Sequence, residues 1–254
     1  MTESNQQPLM KSSRKRRIVA FMIDHFVLSV INVSLIFLIL GPNFTDEEDA
    51  GKLMIAIFTV IPIGMFIYFA KDNIKGMSLG KWIMGIMVRD ADDNTITPSF
   101  GRLLLRNLLL IILPVEFIVL AASNDKRRLG DKAARAVVVK NPNKASKSMR
   151  IVILLLVIIG TCTFVFLQSS YTIKNSEAYK TAIQEIDQNQ EISTATGGVV
   201  GYGMVPTGEI NIRNGKGIAN LKIKVKGKKK DKEVQVYLEK EQGGKWEMIE
   251  LYQE

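Results

Sequence analysis

The sequence predicts an α-helical multi-pass membrane domain followed by a small α+β domain of one helix on about four antiparallel strands. Two observations carry this reading. Long apolar blocks flanked by basic residues take up much of the 47% apolar content of a 254-residue chain, leaving too little for a large soluble core. The last 86 residues, Ser169 to Glu254, then change to a helical stretch and period-two alternation.

Residues 1–17 read as a basic cytoplasmic tail with Lys11, Arg14, Lys15, Arg16 and Arg17 near its end. The apolar block after it is too long for a signal-peptide core and lacks a small-residue cleavage site, so it reads as a retained span. Ile18 to Leu40, Leu53 to Ala70 and Ile151 to Leu167 are each long enough to cross the hydrocarbon, which needs about 17 to 25 apolar residues. The loop after the first span carries Asp46, Glu47, Glu48 and Asp49, whereas Lys71, Lys75, Lys81, Arg89 and Arg102 follow the second. The positive-inside rule then places the N-terminus in the cytoplasm; a cell (plasma or inner) membrane is the expected location.

Leu103 to Ala122 is also long enough to cross, yet it contains Arg106, Asn107, Pro114 and Glu116. The most basic region of the chain, Asn124 to Arg150, comes next and would be exported if this segment crossed. A segment that dips in and returns, broken at Pro114, keeps that loop cytoplasmic and is the favoured reading. The membrane domain is thus 18–140, a basic linker and final span take 141–168, and the extramembrane domain is 169–254, outside the cytoplasm. A true crossing by Leu103 to Ala122 would reverse the side of that last domain.

In 169–254, Ser176 precedes Ala178, Ala182, Ile183 and Ile186 at helical spacing, which predicts an N-capped amphipathic helix ending near Asn189. A Gly-rich stretch follows, and Glu209 to Arg213 is counted as a strand. Ala219, Leu221, Ile223 and Val225 then alternate with polar residues, and Val234, Val236 and Leu238 repeat the pattern after a Lys-Asp turn; Gly243-Gly244 precedes a last strand from Trp246 to Leu251. Thirteen basic residues against twelve acidic ones in this domain give it no excess for nucleic acid, so its lysines read as a solvated sheet face. The net charge of +9 resides instead beside the apolar blocks, where lipid headgroups are the partner.

Single Cys162 and single His25 exclude a Cys/His zinc site and an internal disulfide, and no metal or cofactor is expected. Gly76-Met77-Ser78-Leu79-Gly80 matches G-x-S-x-G, but a hydrolase elbow needs a catalytic histidine and a large parallel sheet. No enzyme is predicted. The residues that demand explanation are ionisable groups inside a span. Arg17, Asp24, His25, Ser29 and Asn32 form one stripe on the first helix. Asp24 is then either an ion or proton site tuned by His25 or Arg17, or a structural partner of an arginine such as Arg106 or Arg127.

Three blocks resemble the RDD family of membrane proteins, named for one arginine and two aspartates. The first is Arg17-x-x-Ala20-x-x-x-Asp24; the second is Gly76-Met77-Ser78-Leu79-Gly80-Lys81 with Gly85, Val88 and Asp90 after it. The third is Lys126-Arg127-Arg128-Leu129-Gly130-Asp131 and its valine-rich continuation, in which Asp131 matches the second aspartate and Ala136 stands where a threonine is common. The C-terminal part, about Tyr171 to Tyr252, is similar to the cytochrome c oxidase assembly factor family through Ser176-Glu177-Ala178-Tyr179, Ala182, Gly197, Gly208, Gly217, Ala219, Gly227 and Gly244-Lys245-Trp246.

The first resemblance implies transport of a small solute or cation/proton exchange through Arg17, Asp24 and Asp131; so few helices would need a homo-oligomer to line a path. The second implies a membrane-anchored scaffold whose residues 169–254 hold a subunit of a respiratory complex.

Overall fold

The computed structural model describes residues 9–40 and 50–253. The acidic loop Asp46 to Asp49 and residues 1–8 lie outside the described residues. The chain divides into two compact units, one formed by 1–32 and 59–161 and the other by 33–58 and 162–254.

Among the described residues, four helical segments are long and apolar enough to cross a membrane: Arg14–Leu40, Gly51–Ala70, Phe100–Ala122 and Lys147–Asn175. Helix α1 (Arg14–Leu40) is regular throughout, so Arg14 to Arg17 belong to its first turn rather than to a tail. The second span is α2 (Ala50–Ile55), a π-helical turn at Ala56–Val60, and α3 (Ile61–Ala70). Pro62 in the first turn of α3 has no amide hydrogen to give to the preceding turn, and the π-helical turn lies directly before it. The third segment is α5 (Phe100–Leu108), a 3-10 turn at Leu109–Ile112 and α6 (Leu113–Ala122). It breaks at Ile112, whose ψ of 49° leaves the helical region two residues before Pro114. Helix α8 (Lys147–Asn175) runs unbroken for 29 residues.

The stretches between spans in the first unit are ordered, where the sequence suggests plain basic loops. Short helix α4 (Leu79–Met84) leads through Gly85, in the left-handed conformation, into β1 (Ile86–Asp90). Helix α7 (Leu129–Ala133) leads into β2 (Ala136–Lys140). The two strands pair antiparallel from Ile86↔Lys140 to Asp90↔Ala136. Residues 10–12 add to the open edge of β2: the Ser12 amide donates to Val138 O, and the Lys140 amide donates to Met10 O. Ile86, Met87, Val88 and Val137 to Val139 are all buried, so both faces of the ribbon are covered and no alternation marks it in the sequence.

In the second unit, Gln168 of α8 donates from Nε2 to Ser34 O of α1. Past the apolar stretch of α8, Ile173 packs on the core of the α+β domain. Ser176 accepts the Tyr179 amide and starts α9 (Glu177–Gln188), as its capping pattern predicts. Asn189 then caps a second short helix, α10 (Gln190–Thr196), and the Gly-rich stretch holds β3 (Val199–Tyr202). Strands β4 (Thr207–Arg213), β5 (Lys216–Gly227), β6 (Lys232–Lys240) and β7 (Trp246–Gln253) complete an antiparallel sheet. Its order is β3-β5-β6-β7, with β4 beside the first half of β5. Ala219, Leu221, Ile223 and Val225 face Ala178, Ala182 and Ile186 in one apolar core, so the period-two and helical patterns meet there.

Candidate functional site

The first unit buries nine ionisable side chains together: Arg17, Asp24, Lys71, Asp72, Lys81, Arg106, Glu116, Arg128 and Asp131. Removing such groups from water is tolerated only when they pair and hydrogen-bond. Most of this cluster obeys that rule.

Arg106, 2% exposed, is the hub. Its Nε donates to Asp131 Oδ1 at 2.9 Å and its Nη1 donates to Asp72 Oδ2 at 2.7 Å. Asp131 is fully buried and also accepts from Arg17 Nη2 and, at 3.1 Å, from the Arg128 amide. Burial alone would raise the Asp131 carboxyl, but Arg17, Arg106 and Arg128 hold it well below the usual carboxylate range. Asp72, likewise fully buried, takes Lys81 Nζ on one oxygen and Arg106 and Asn107 on the other. Here too burial would raise the carboxyl, and Lys81 and Arg106 override it downward.

Among the described residues Asp24 is not paired with an arginine such as Arg106 or Arg127, one of the two readings the sequence offers. The Ser78 hydroxyl donates to its Oδ2 at 2.5 Å and the Gly80 amide donates to its Oδ1 at 2.7 Å. The Gly76-to-Lys81 motif therefore has a local explanation. Ser78 caps α4 by accepting the Lys81 amide and at the same time fastens α4 to α1. Gly80 lies so close to α1 that a Cβ would collide with the Ala20 carbonyl oxygen. Gly76 has φ +70°, where its missing side chain lets the chain turn beside Val88. Lys81 carries its charge to Asp72.

The remaining residues divide between the cluster and its rim. Arg127 donates from Nη2 to the Asp131 carbonyl at 3.3 Å. His25 points outward and stacks on Phe21, with ring centroids 5.5 Å apart and 9° between planes. Asn32 is spent on its own helix, donating to Leu28 O. Glu116 accepts the Gly130 amide at 2.8 Å, and Arg128 reaches Asn107 Oδ1 at 3.0 Å.

Three polar atoms in the cluster make no hydrogen bond among the described residues: Lys71 Nζ, Arg128 Nε and Glu116 Oε2. All three side chains line one cavity of about 40 Å³, large enough for one to three water-sized occupants. Lys71 keeps only 7% of its side chain exposed, sits 3.9 Å from Asp24 Oδ2 and lies 3.9 Å from the centre of the Tyr68 ring. Burial, then the nearby Lys81 charge, pushes its amine down to about 7, against 10.5 for a free lysine.

Asp72 and Lys71 are site residues that sequence reasoning does not single out, and Asn107 and Glu116 stand out there only as polar residues within 103–122. Arg106-Asn107 inside an apolar run calls for a buried counter-ion, and Asp72, the acid directly after the second span, is the available one. Lys71 looks like an ordinary positive-inside residue. Among the described residues no group of histidine, cysteine and carboxylate side chains could hold a metal ion.

Helices of membrane length with a buried charge cluster among them, followed by an α+β domain, define a multi-pass membrane protein with an appended α+β domain. The RDD family model matches residues 12–135, and that of cytochrome oxidase complex assembly protein 1 matches residues 150–252, so the chain carries both modules. No curated protein and no solved structure matches the chain. The arginine and aspartates of the RDD motif join its three blocks: Arg17 to Asp131 links the first and third, and Asp24 to Ser78 and Gly80 links the first and second.

Proposed function

We propose that the RDD module transports a small charged solute together with protons, using Lys71, beside Asp24 at the cavity of the buried cluster, as its titrating element. The observation that carries this is Lys71 itself. A buried amine without a hydrogen bond, beside a carboxylate and a cavity, can gain and lose a proton near neutral pH and gate what occupies that cavity. Arg17, Asp131, Arg106 and Asp72 hold the walls; their full complement of partners suits a frame better than a moving part. Of the two activities implied by the RDD resemblance, solute transport fits better than cation exchange, because the cluster has more basic than acidic groups. A continuous path would be completed by association of copies. Purified protein reconstituted in liposomes with a pH-sensitive dye tests this. Solute-dependent proton movement should vanish in Lys71→Met and in Asp24→Asn, and unchanged movement in both variants would sink the reading.

The topology belongs to the same reading. With the N-terminus in the cytoplasm, Phe100–Ala122 enters and leaves on that side, Lys147–Asn175 crosses outward, and the α+β domain is extracytoplasmic in a cell (plasma or inner) membrane. The Gly130 contacts support the return. Gly130 donates to the Glu116 carboxylate, and a Cβ on it would strike the Arg106 carbonyl. A straight helix would separate residues 106 and 116 by about 15 Å. Arg102 donates to Ala134 O near one end of the segment, and Arg14 donates to Leu120 O and Ser123 O at the other, so both ends meet cytoplasmic-side chain.

A second reading is favoured by the match of residues 150–252: the α+β domain acts as a membrane-anchored assembly factor for a cytochrome oxidase-like complex. Deletion of 169–254 should then lower the level of assembled oxidase while proton movement by the RDD module persists. Normal oxidase levels after that deletion would discard this reading.

A further inference from the structure

We infer that the cavity lined by Lys71, Arg128 and Phe117, among others, is a binding site for one small monovalent anion of the halide class, taken up together with a proton on Lys71. Its biological use rests on the transport reading, but its chemistry does not. The cluster holds five basic groups (Arg17, Lys71, Lys81, Arg106 and Arg128) against four acidic ones (Asp24, Asp72, Glu116 and Asp131), so one positive charge is unbalanced when Lys71 is protonated. That excess is where the hydrogen bonds are missing. Every oxygen of Asp72 and Asp131 is occupied, while Lys71 Nζ and Arg128 Nε, on side chains that line the cavity, make no hydrogen bond among the described residues.

A cation is the wrong occupant, since the four basic side chains of the lining other than Lys71 would repel it and the carboxylates able to attract it are already engaged or shared. Glu116 Oε2 is the exception, and it stands 3.6 Å from Arg128 Nε, too far for a hydrogen bond but close enough to offset part of that charge. Water could satisfy the donors, though it would leave the charge excess in a poorly screened interior. An anion removes both deficits. About 40 Å³ of space for water-sized occupants is room for one small ion.

Uptake of an anion should favour the protonated amine, and the reciprocal holds. The test is thermal unfolding of the full-length protein in detergent at constant ionic strength, with sodium chloride or bromide replacing sodium gluconate, from pH 5.5 to 9. The expected result is a saturable rise in the unfolding midpoint with halide and none with gluconate. The apparent halide Kd should be flat below about pH 7 and weaken by about tenfold per pH unit above it. Lys71→Met should weaken halide binding at least tenfold, whereas Lys75→Met, an exposed neighbour, should leave it unchanged. Should Lys71→Met not fold, the pH dependence of the wild type together with chloride-35 line broadening decides the matter. A midpoint indifferent to halide, or a halide effect without saturation or pH dependence, would mean that the cavity holds water alone and would overturn the inference. Saturable binding without proton movement in liposomes would keep the anion site and remove transport.

Discussion

The Arg17 guanidinium and the Asp131 carboxylate form a direct ion pair across 114 residues of chain, with both side chains buried. This contact fixes the first turn of α1 to the start of α7, and Arg106 shares the other oxygen of the same carboxylate. Replacing Asp131 with Asn would leave two or three guanidinium groups facing one neutral amide. The cost of orphaning buried charges in this way is about 3–5 kcal/mol. Asp131→Asn should therefore fail to yield a monodisperse protein or should unfold at a much lower temperature in detergent. The double variant Arg17→Met with Asp131→Asn should lose less than the two single losses together, because one orphaned charge is gone. Strict additivity in that cycle would show that the pair is not coupled.

Gly80 tests the close approach of α4 to α1. Because a methyl would press on the Ala20 backbone carbonyl rather than on a flexible side-chain end, Gly80→Ala should destabilise by about 1–3 kcal/mol. Gly101, in the first turn of α5, has nothing within 4 Å of where its Cβ would be. Gly101→Ala should be neutral or stabilise by up to about 1 kcal/mol through helix propensity. Equal effects in the two variants, measured as shifts in thermal unfolding, would exclude close packing as the reason for glycine at position 80.

These two positions show where sequence reasoning reaches and where it stops. The spans, the capped helix at Ser176 and the alternation from Ala219 to Val225 are legible, because each is a local periodicity with one buried and one exposed face. Arg17 and Asp24 stand out because a charge in an apolar run is costly. Their partners do not, since pairing across 54 to 114 residues leaves no local trace. The ribbon of β1 and β2 is hidden for the opposite reason: covered on both faces, it shows no alternation, and its five-residue strands are short beside the spans. Lys71 and Asp72 look like ordinary residues at the end of a span until Arg106 is seen to need a counter-ion.

Lys71 also sets a pH dependence whose sign can be worked out. Its amine is lowered in the folded protein to about 7 from 10.5. Between those values the unfolded chain binds one proton more than the folded one, so this group makes stability rise with pH from about 7 to about 10.5 and contributes no slope below 7. Each pH unit across that window is worth about 1.4 kcal/mol, so Lys71→Met should be more stable than the wild type at pH 6 by a few kcal/mol, and the gap should close towards pH 10. Asp72 and Asp131 act at the other end. Their carboxyls are depressed, so the stability they supply is complete above the ordinary carboxylate value and is lost as pH falls below about 4 towards their folded values. A gap between wild type and Lys71→Met that stays constant from pH 6 to 10 would contradict the assignment.

The α+β domain should respond to its core and ignore its solvated face. Leu221 is fully buried on β5 among Ala178, Val236 and their neighbours, and Leu221→Ala should cost about 2–5 kcal/mol. Lys226, exposed on the same strand, should change stability by no more than about 0.5 kcal/mol as Lys226→Ala. Chemical denaturation followed by tryptophan fluorescence in a Trp82→Phe background, where Trp246 is the remaining tryptophan and is 6% exposed in this core, reports both variants. A large loss for Lys226→Ala would mean that the lysine-rich face is covered rather than solvated.

The side on which that domain lies follows from whether Phe100–Ala122 crosses, and labelling in whole cells can decide it. Single cysteines belong at exposed positions in a Cys162→Ala background. Ser176 is unsuitable because it is 2% exposed and caps α9, so Lys180→Cys serves for the domain and Asn143→Cys for the basic segment before α8. A returning Phe100–Ala122 gives three crossings. An impermeant maleimide applied to intact cells should then label Lys180→Cys at once and Asn143→Cys only after the membrane is opened. The physical basis is that the two ends of the segment, at Arg102 and Ser123, bond to chain next to the Arg17–Asp131 pair, and one charge cluster cannot extend to both sides of about 30 Å of hydrocarbon. Labelling of Asn143→Cys alone would require four crossings, put the basic segment outside against the positive-inside rule, and return the α+β domain to the cytoplasm, where an extracytoplasmic assembly role for it would no longer stand.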